Sequence, residues 1–211
     1  MNVHSIVKSG FEIGMMQIET EVMQLAAFLA AFRPHHVMEI GTDQGGLFYV
    51  LTQLATGKKV SLDLPGGPWG SVPFHKLGER DRMIRSWDED VVLMRADSHS
   101  EQIAASLSLH LDSPLDFLFI DGDHSLEGVT EDFHRYSPFV RAGGWIGFHD
   151  INDTLAHRDS GVYVAPLWDQ LRGEKYEFNA GESWGGIGLI RSPAILEPTQ
   201  GSAHTSRLRK S

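Results

Sequence analysis

Two stretches constrain this chain most: Phe117-Leu118-Phe119-Ile120-Asp121-Gly122-Asp123-His124, and Gly143-Gly144-Trp145-Ile146-Gly147-Phe148-His149-Asp150. Each is an apolar run that reads as a buried strand, and each ends in acids and a histidine. One helix's worth of sequence separates them, which makes a strand–helix–strand unit of roughly 30 residues. In a parallel sheet both strands deliver their polar tips to the same carboxyl edge, where open α/β sheets bind ligands. Neighbouring strands lie ~4.8 Å apart, so Asp121 and Asp150 can share one hard cation. Solvated loop acids would account for either aspartate alone. Two such tips, one crossover apart, fit a site better.

Similar units repeat along the chain. Ile18, Val22, Leu25, Leu29 and Phe32 step by four and three, which predicts an amphipathic helix over about 16–33. A contact between chain copies in a homo-oligomer and ordinary core packing would each explain its apolar face. Pro34 stops it, and 36–40 reads as a strand followed by a glycine-rich turn over 41–46. Leu47, Val50, Leu51 and Leu54 begin the next helix. Further strands are predicted at 59–64, 91–94, 115–120 and 145–148, ending near Asp63, Asp97, Asp121 and Asp150. Ser98 and Glu101 have the spacing of a capping box. Leu126, Val129, Phe133 and Tyr136 define one more helical face, and Val164, Leu167, Trp168 and Leu171 another. Residues 65–73 form a Gly/Pro loop, 151–161 a polar candidate lid, and 176–178 with 186–191 two closing strands. Alternating β and α predicts a doubly wound, mostly parallel sheet. The expected organisation is one domain over 1–191 with a flexible tail over 192–211.

Composition narrows the function. There is no cysteine, which excludes disulfides, thiolate zinc sites and cysteine nucleophiles and fits a cytoplasmic protein. No apolar run approaches the ~20 residues of a membrane span, and no signal peptide is evident at the N-terminus. A formal charge of −10 argues against nucleic-acid partners, which require phosphate neutralisation. It also disfavours an anionic substrate unless a local site overrides it.

The first turn reads Glu39-Ile40-Gly41-Thr42-Asp43-Gln44-Gly45-Gly46. Glycines there let a ligand approach the backbone at a helix N-terminus. A nicotinamide-binding turn would read G-x-G-x-x-G, but Asp43 takes the place of the second glycine and would repel a pyrophosphate. The turn suits a ligand without a diphosphate, or is merely a tight strand-to-helix turn. Asp63, about 20 residues on, is placed to accept from ribose hydroxyls. Asp97-Ser98 is placed to meet an adenine amino group, although Ser98 is equally explained as a helix cap.

The series Glu39-Ile40-Gly41, Asp63-Leu64-Pro65-Gly66-Gly67, Asp97-Ser98, Phe119 to His124 and Gly143-Gly144 through Phe148-His149-Asp150 resembles the class I S-adenosylmethionine-dependent methyltransferases. The nearest group is the small cephalosporin hydroxylase-like branch, related to macrolide-sugar O-methyltransferases. The resemblance spans roughly residues 36–191 and implies a Rossmann-like seven-stranded sheet whose last strand is antiparallel. It further implies that Glu39, Gly41, Thr42 and Gly45 surround the methionine end of the cofactor, Asp63 holds the ribose, and Asp97 and Ser98 the adenine side. Asp121 belongs to both the cofactor and the metal sets. Related metal-dependent enzymes imply a divalent ion, Mg²⁺ or Mn²⁺, on Asp121, His149 and Asp150, with His124 as the base. His149 departs from the pattern, since better-known relatives have an acid there. One imidazole for a carboxylate weakens Mg²⁺ binding, favours Mn²⁺ or a softer ion, or leaves His149 outside the metal shell.

The implied activity is methyl transfer to a hydroxyl of a small molecule, such as a sugar unit or natural product. Two rival readings stand beside it. Phe117 to Asp123 also fits a D-x-D phosphohydrolase, with Asp121 as nucleophile. A catalytically silent protein that kept the cofactor pocket is the second.

Overall fold

The computed structural model describes residues 2–69, 72–181 and 184–196. In chain order the elements are α1 (Val3–Ile13), α2 (Glu19–Phe32), β1 (Val37–Ile40), α3 (Gly46–Leu54), β2 (Lys59–Asp63) and α4 (Phe74–Trp87). There follow β3 (Val92–Arg95), α5 (Glu101–Leu107), β4 (Leu115–Ile120), α6 (Leu126–Tyr136) and, after a 3₁₀ turn, β5 (Val140–Phe148). The chain closes with α7 (Leu155–Asp159), α8 (Ala165–Gln170), β6 (Leu171–Arg172), β7 (Lys175–Phe178), β8 (Ile187–Arg191) and β9 (Ile195–Leu196).

The main sheet has seven strands in the order β3-β2-β1-β4-β5-β8-β7. The pairs from β3 to β5 are parallel, and β8 runs antiparallel to both β5 and β7. This is the doubly wound sheet expected from the sequence, with β8 as the antiparallel last strand of that sheet. Side chains alternate across it, so each strand serves two cores. Phe117 and Phe119 of β4 pack with Val22, Leu25 and Leu29 of α2 and Leu47, Val50 and Leu51 of α3. Leu118 and Ile120 pack on the opposite side with Val129, Phe133 and Tyr136 of α6 and Trp168 of α8. Each fully buried Phe contributes roughly 1.5–3 kcal/mol. The apolar face of α2 is thus spent on the core.

Three features differ from the sequence reading. First, α1 and α4 lie where no helix was predicted. Helix α1 buries only Ile6, Val7 and Gly10, and α4 only Arg80 and Ile84, so neither shows a long apolar stripe. Second, the predicted cap at Ser98 is not formed: α5 starts after Ser100. Third, the segment from 192 is not all tail. Ile195–Leu196 pairs antiparallel with Leu171–Arg172, and Ser192 is buried. The remainder of the predicted tail, 197–211, lies outside the described residues. The candidate lid over 151–161 contains the short helix α7.

Candidate active site

The strand order reverses between β1 and β4, and ligands of open α/β sheets bind at that switch point. A cavity of about 560 Å³ opens there, within the range of cofactor pockets. It runs from the glycine turn and Asp97–Ser98 past the β4 tip to His149, Asp150 and the α7 segment. Gly41 makes this approach possible. Its φ is +85°, and a Cβ there would stand 2.0 Å from the Asp121 carbonyl oxygen. Any side chain would force β1 and β4 apart at the floor of the cavity.

Glu39, Gly41, Thr42, Asp63, Asp97, Ser98, Asp121, His124, His149 and Asp150 all line this one cavity. Gly45 does not. With φ +99° it starts α3, and a Cβ there would meet Trp87 and Ile84 of α4. Asp63 lines the cavity, but both its oxygens are engaged by the protein. Oδ1 accepts from the Thr42 N–H at 3.1 Å and the Asp43 N–H at 3.4 Å. Oδ2 accepts from Arg80 Nη1 at 2.6 Å, and the same nitrogen donates to the Asp43 carbonyl at 2.7 Å. Asp63 therefore holds the glycine turn and absorbs the two N–H groups that a phosphate would need.

Glu39 is buried at the foot of the cavity, and its Oε2 has no hydrogen-bond partner among the described residues. Burial, reinforced by the Asp121 charge, pushes its carboxyl well above the usual glutamate range. Such a group is stabilised by a cationic ligand.

At the other end, Asp121 and Asp150 meet three imidazoles. His149 Nδ1 stands 3.1 Å from Asp121 Oδ1 and 3.3 Å from Asp150 Oδ1. His124 Nδ1 is 2.9 Å from Asp150 Oδ2, and its Nε2 3.8 Å from Asp121 Oδ1. Gln17, from the α1–α2 loop, donates to Asp121 Oδ2 at 2.5 Å. His157 Nδ1–H donates to the Asn152 carbonyl at 2.7 Å, while its Nε2 accepts from the Gly185 N–H at 3.0 Å. That pairing fixes the tautomer and ties α7 to the β7–β8 loop beside Asp150. Asp150 itself has φ 58°, a conformation tolerated by aspartate more than by most residues, and it turns the carboxylate back over the strand end.

Electrostatics follow from this packing. Burial alone would pull His149 down, but the charge and hydrogen bond of Asp121, with Asp150 behind them, raise it to about 9. His124 is also lowered by burial and raised by its bond to Asp150 and the Asp121 charge, and ends above the ordinary histidine value. Asp150 is raised by burial and lowered by His124 and His149, and ends below the ordinary carboxylate value. Among the described residues, no group of three or more His, Asp or Glu side chains is spaced to hold a metal ion. The donor types nonetheless fit a divalent cation: the Asp121 and Asp150 carboxylates, with the His149 imidazole turning Nδ1 toward both.

Sequence reasoning missed Gln17, His157 and the part of Arg80. Gln17 and His157 come from loops or short elements with no periodic pattern. The two histidines His124 and His157 were both visible as residues, but only His124 had a spacing to mark it. Trp69, in the Gly/Pro loop over 65–73, and Trp184, in the turn before β8, both line the cavity.

A parallel sheet with one antiparallel insertion, a carboxyl-edge cavity at the switch point and an acid at the end of β1 define a class I methyltransferase fold. Residues 38–151 match the Methyltransferase domain family, and the chain belongs to that family. It is 30% identical over 122 residues to an uncharacterized protein of Acanthamoeba polyphaga mimivirus, a match over 55% of this chain and about half of that protein's length. The fold is similar to the O-methyltransferase TomG from Streptomyces achromogenes, solved in complex with SAM (TM-score 0.61, 14% identity, 94% of this chain and 91% of that one). It is also similar to the MycE methyltransferase of the mycinamycin biosynthetic pathway, solved with Mg and SAH (TM-score 0.59, 15% identity, 94% and 57%). The phosphohydrolase reading of the D-x-D stretch fails against this family. Asp123, its second acid, accepts from the Ser125 N–H at 2.8 Å just before α6.

Proposed function

We propose that the protein is an S-adenosylmethionine-dependent O-methyltransferase of a small hydroxylated molecule, assisted by a divalent cation. One observation carries the reading: a single cavity joins the buried Glu39 carboxyl, whose Oε2 has no partner among the described residues, to a carboxylate–imidazole cluster at the β4 and β5 tips. The first half suits a cationic cofactor without a diphosphate, and the second suits proton removal.

Bound S-adenosylmethionine would supply an activated methyl group. Glu39, Gly41 and Thr42 hold its amino-acid end, and Asp97 and Ser98 its adenine side, with Asp121 between the two halves. Asp63 and Gly45 act one step removed, by shaping the turn. A cation on Asp121, His149 and Asp150, Mg²⁺ or Mn²⁺, would lower the pKa of an acceptor hydroxyl and fix its position. His124 takes the hydroxyl proton, a contribution typically of ~10²–10⁴ in rate. The absence of cysteine fits action in the cytoplasm.

The test is transfer of radiolabelled methyl from S-adenosylmethionine to a library of hydroxylated compounds, with and without chelator. Transfer that chelation abolishes, with S-adenosylhomocysteine binding intact, is the expected result. Cofactor binding without transfer to any acceptor would favour the silent binding protein. Full activity after exhaustive chelation would remove the cation.

A further inference from the structure

The charges around the cavity are one-sided. Its described lining holds seven carboxylates and four histidines, and neither lysine nor arginine. Nearby guanidinium groups are committed elsewhere. Arg80 is buried against Asp63 and the Asp43 carbonyl, and Arg158 of α7 is paired with Asp153 on the outer surface. A cation at the β4 and β5 tips would be offset by the two aspartates that hold it, and the His149 and His124 imidazoles are already paired with those same aspartates.

Two indoles complete the acceptor end, and they come from different loops. Trp69, before α4, lies with its ring 5.3 Å from that of His124. Trp184, before β8, stands edge-on to His149 with ring centroids 6.5 Å apart. Exposed Met16 adds a further apolar group at the mouth. Indole faces bind apolar ring faces, and the polar cluster between them is left for hydroxyls.

Resting on the methyltransferase reading, we propose that the acceptor site selects against anions. It takes an uncharged hydroxylated ring compound held by Trp69 and Trp184, and rejects the same compound once phosphorylated, carboxylated or carried as a coenzyme A ester. An anion there would be desolvated beside Asp121 and Asp150 with no lysine or arginine in the described lining to compensate it.

The test uses the full chain with S-adenosylmethionine and a paired panel. Alkyl glycosides and catechols are each assayed beside their phosphorylated, carboxylated or coenzyme A counterparts. Uncharged members should be methylated with kcat/KM about 100-fold or more above their anionic partners, as like-charge juxtaposition implies. Trp69→Ala should raise KM for the uncharged members by about 10-fold with a smaller change in kcat. Ala156→Arg, on the exposed rim, should narrow the anion penalty. Anionic members turned over as well as or better than their partners would overturn the proposal. So would a panel in which no uncharged member is methylated although S-adenosylhomocysteine binds. Failure to bind S-adenosylhomocysteine would instead overturn the methyltransferase reading itself.

Discussion

On the proposed mechanism, His124 is the residue on which the chemistry turns. Its Nδ1 is held by Asp150 at 2.9 Å, which leaves Nε2 as the proton acceptor once the ring is neutral. In the metal-free cluster burial lowers its pKa, and the Asp150 bond and Asp121 charge raise it above the ordinary histidine value. Only the neutral ring accepts a proton, so turnover should rise with pH through the histidine range. His124→Ala should cut turnover by ~10²-fold or more and flatten that limb, while S-adenosylhomocysteine affinity stays within a few-fold. A pH–rate profile of both enzymes checks this. A second residue-scale prediction concerns Asp132, fully buried beneath the β4 tip. Burial raises it to about 6, against the lowering effects of Ser98 and His99. Between the ordinary carboxylate value and about 6 the folded protein keeps a proton that the unfolded chain has released. Its contribution to stability is full below the unfolded value and is lost as pH rises through about 6. Asp132→Asn should thus be more stabilising at pH 7.5 than at pH 4, as denaturant unfolding at the two pH values would show.

At the scale of elements, strand tips were readable and their supports were not. Asp63, Asp97, Asp121 and Asp150 follow apolar runs, so period and composition place them at one edge. Helix α4 was invisible because its buried face consists of an arginine and an isoleucine, and an arginine reads as surface. Its function is nonetheless central to the turn, since Arg80 clamps Asp63 and the Asp43 carbonyl together. Arg80→Met should destabilise the fold by roughly 3–5 kcal/mol, because Asp63 would lose its buried guanidinium partner. Equilibrium unfolding measures that, and a loss below ~1 kcal/mol would show that the clamp is dispensable. Gln17, His157 of the short helix α7 and Trp184 could not be placed at the site from sequence. Loops carry no hydrophobic period, and it is tertiary contact, such as the Gly185 N–H on His157, that brings them to the cluster. Gly45 was misread for a related reason: a glycine needed for a left-handed helix start looks the same in sequence as one that makes room for a ligand.

At the scale of the whole molecule, the alternation of β and α was sufficient to predict a doubly wound sheet, while its antiparallel last strand came from the methyltransferase resemblance, in keeping with the two closing strands. The β6–β9 pair was not predictable, since two-residue strands in a polar segment leave no pattern. What the complete fold adds is continuity. One cavity connects the β1 turn to the β5 tip, so cofactor and acceptor can meet without a domain movement. The most direct measurement is a crystal structure of the protein with S-adenosylhomocysteine. The account predicts the ligand at the switch point, its adenine beside Asp97 and Ser98, its amino-acid end on Glu39 and Gly41, and its sulfur toward Asp121 and His124. Binding elsewhere on the molecule, or an orientation that turns the sulfur away from the His124–His149 cluster, would contradict it.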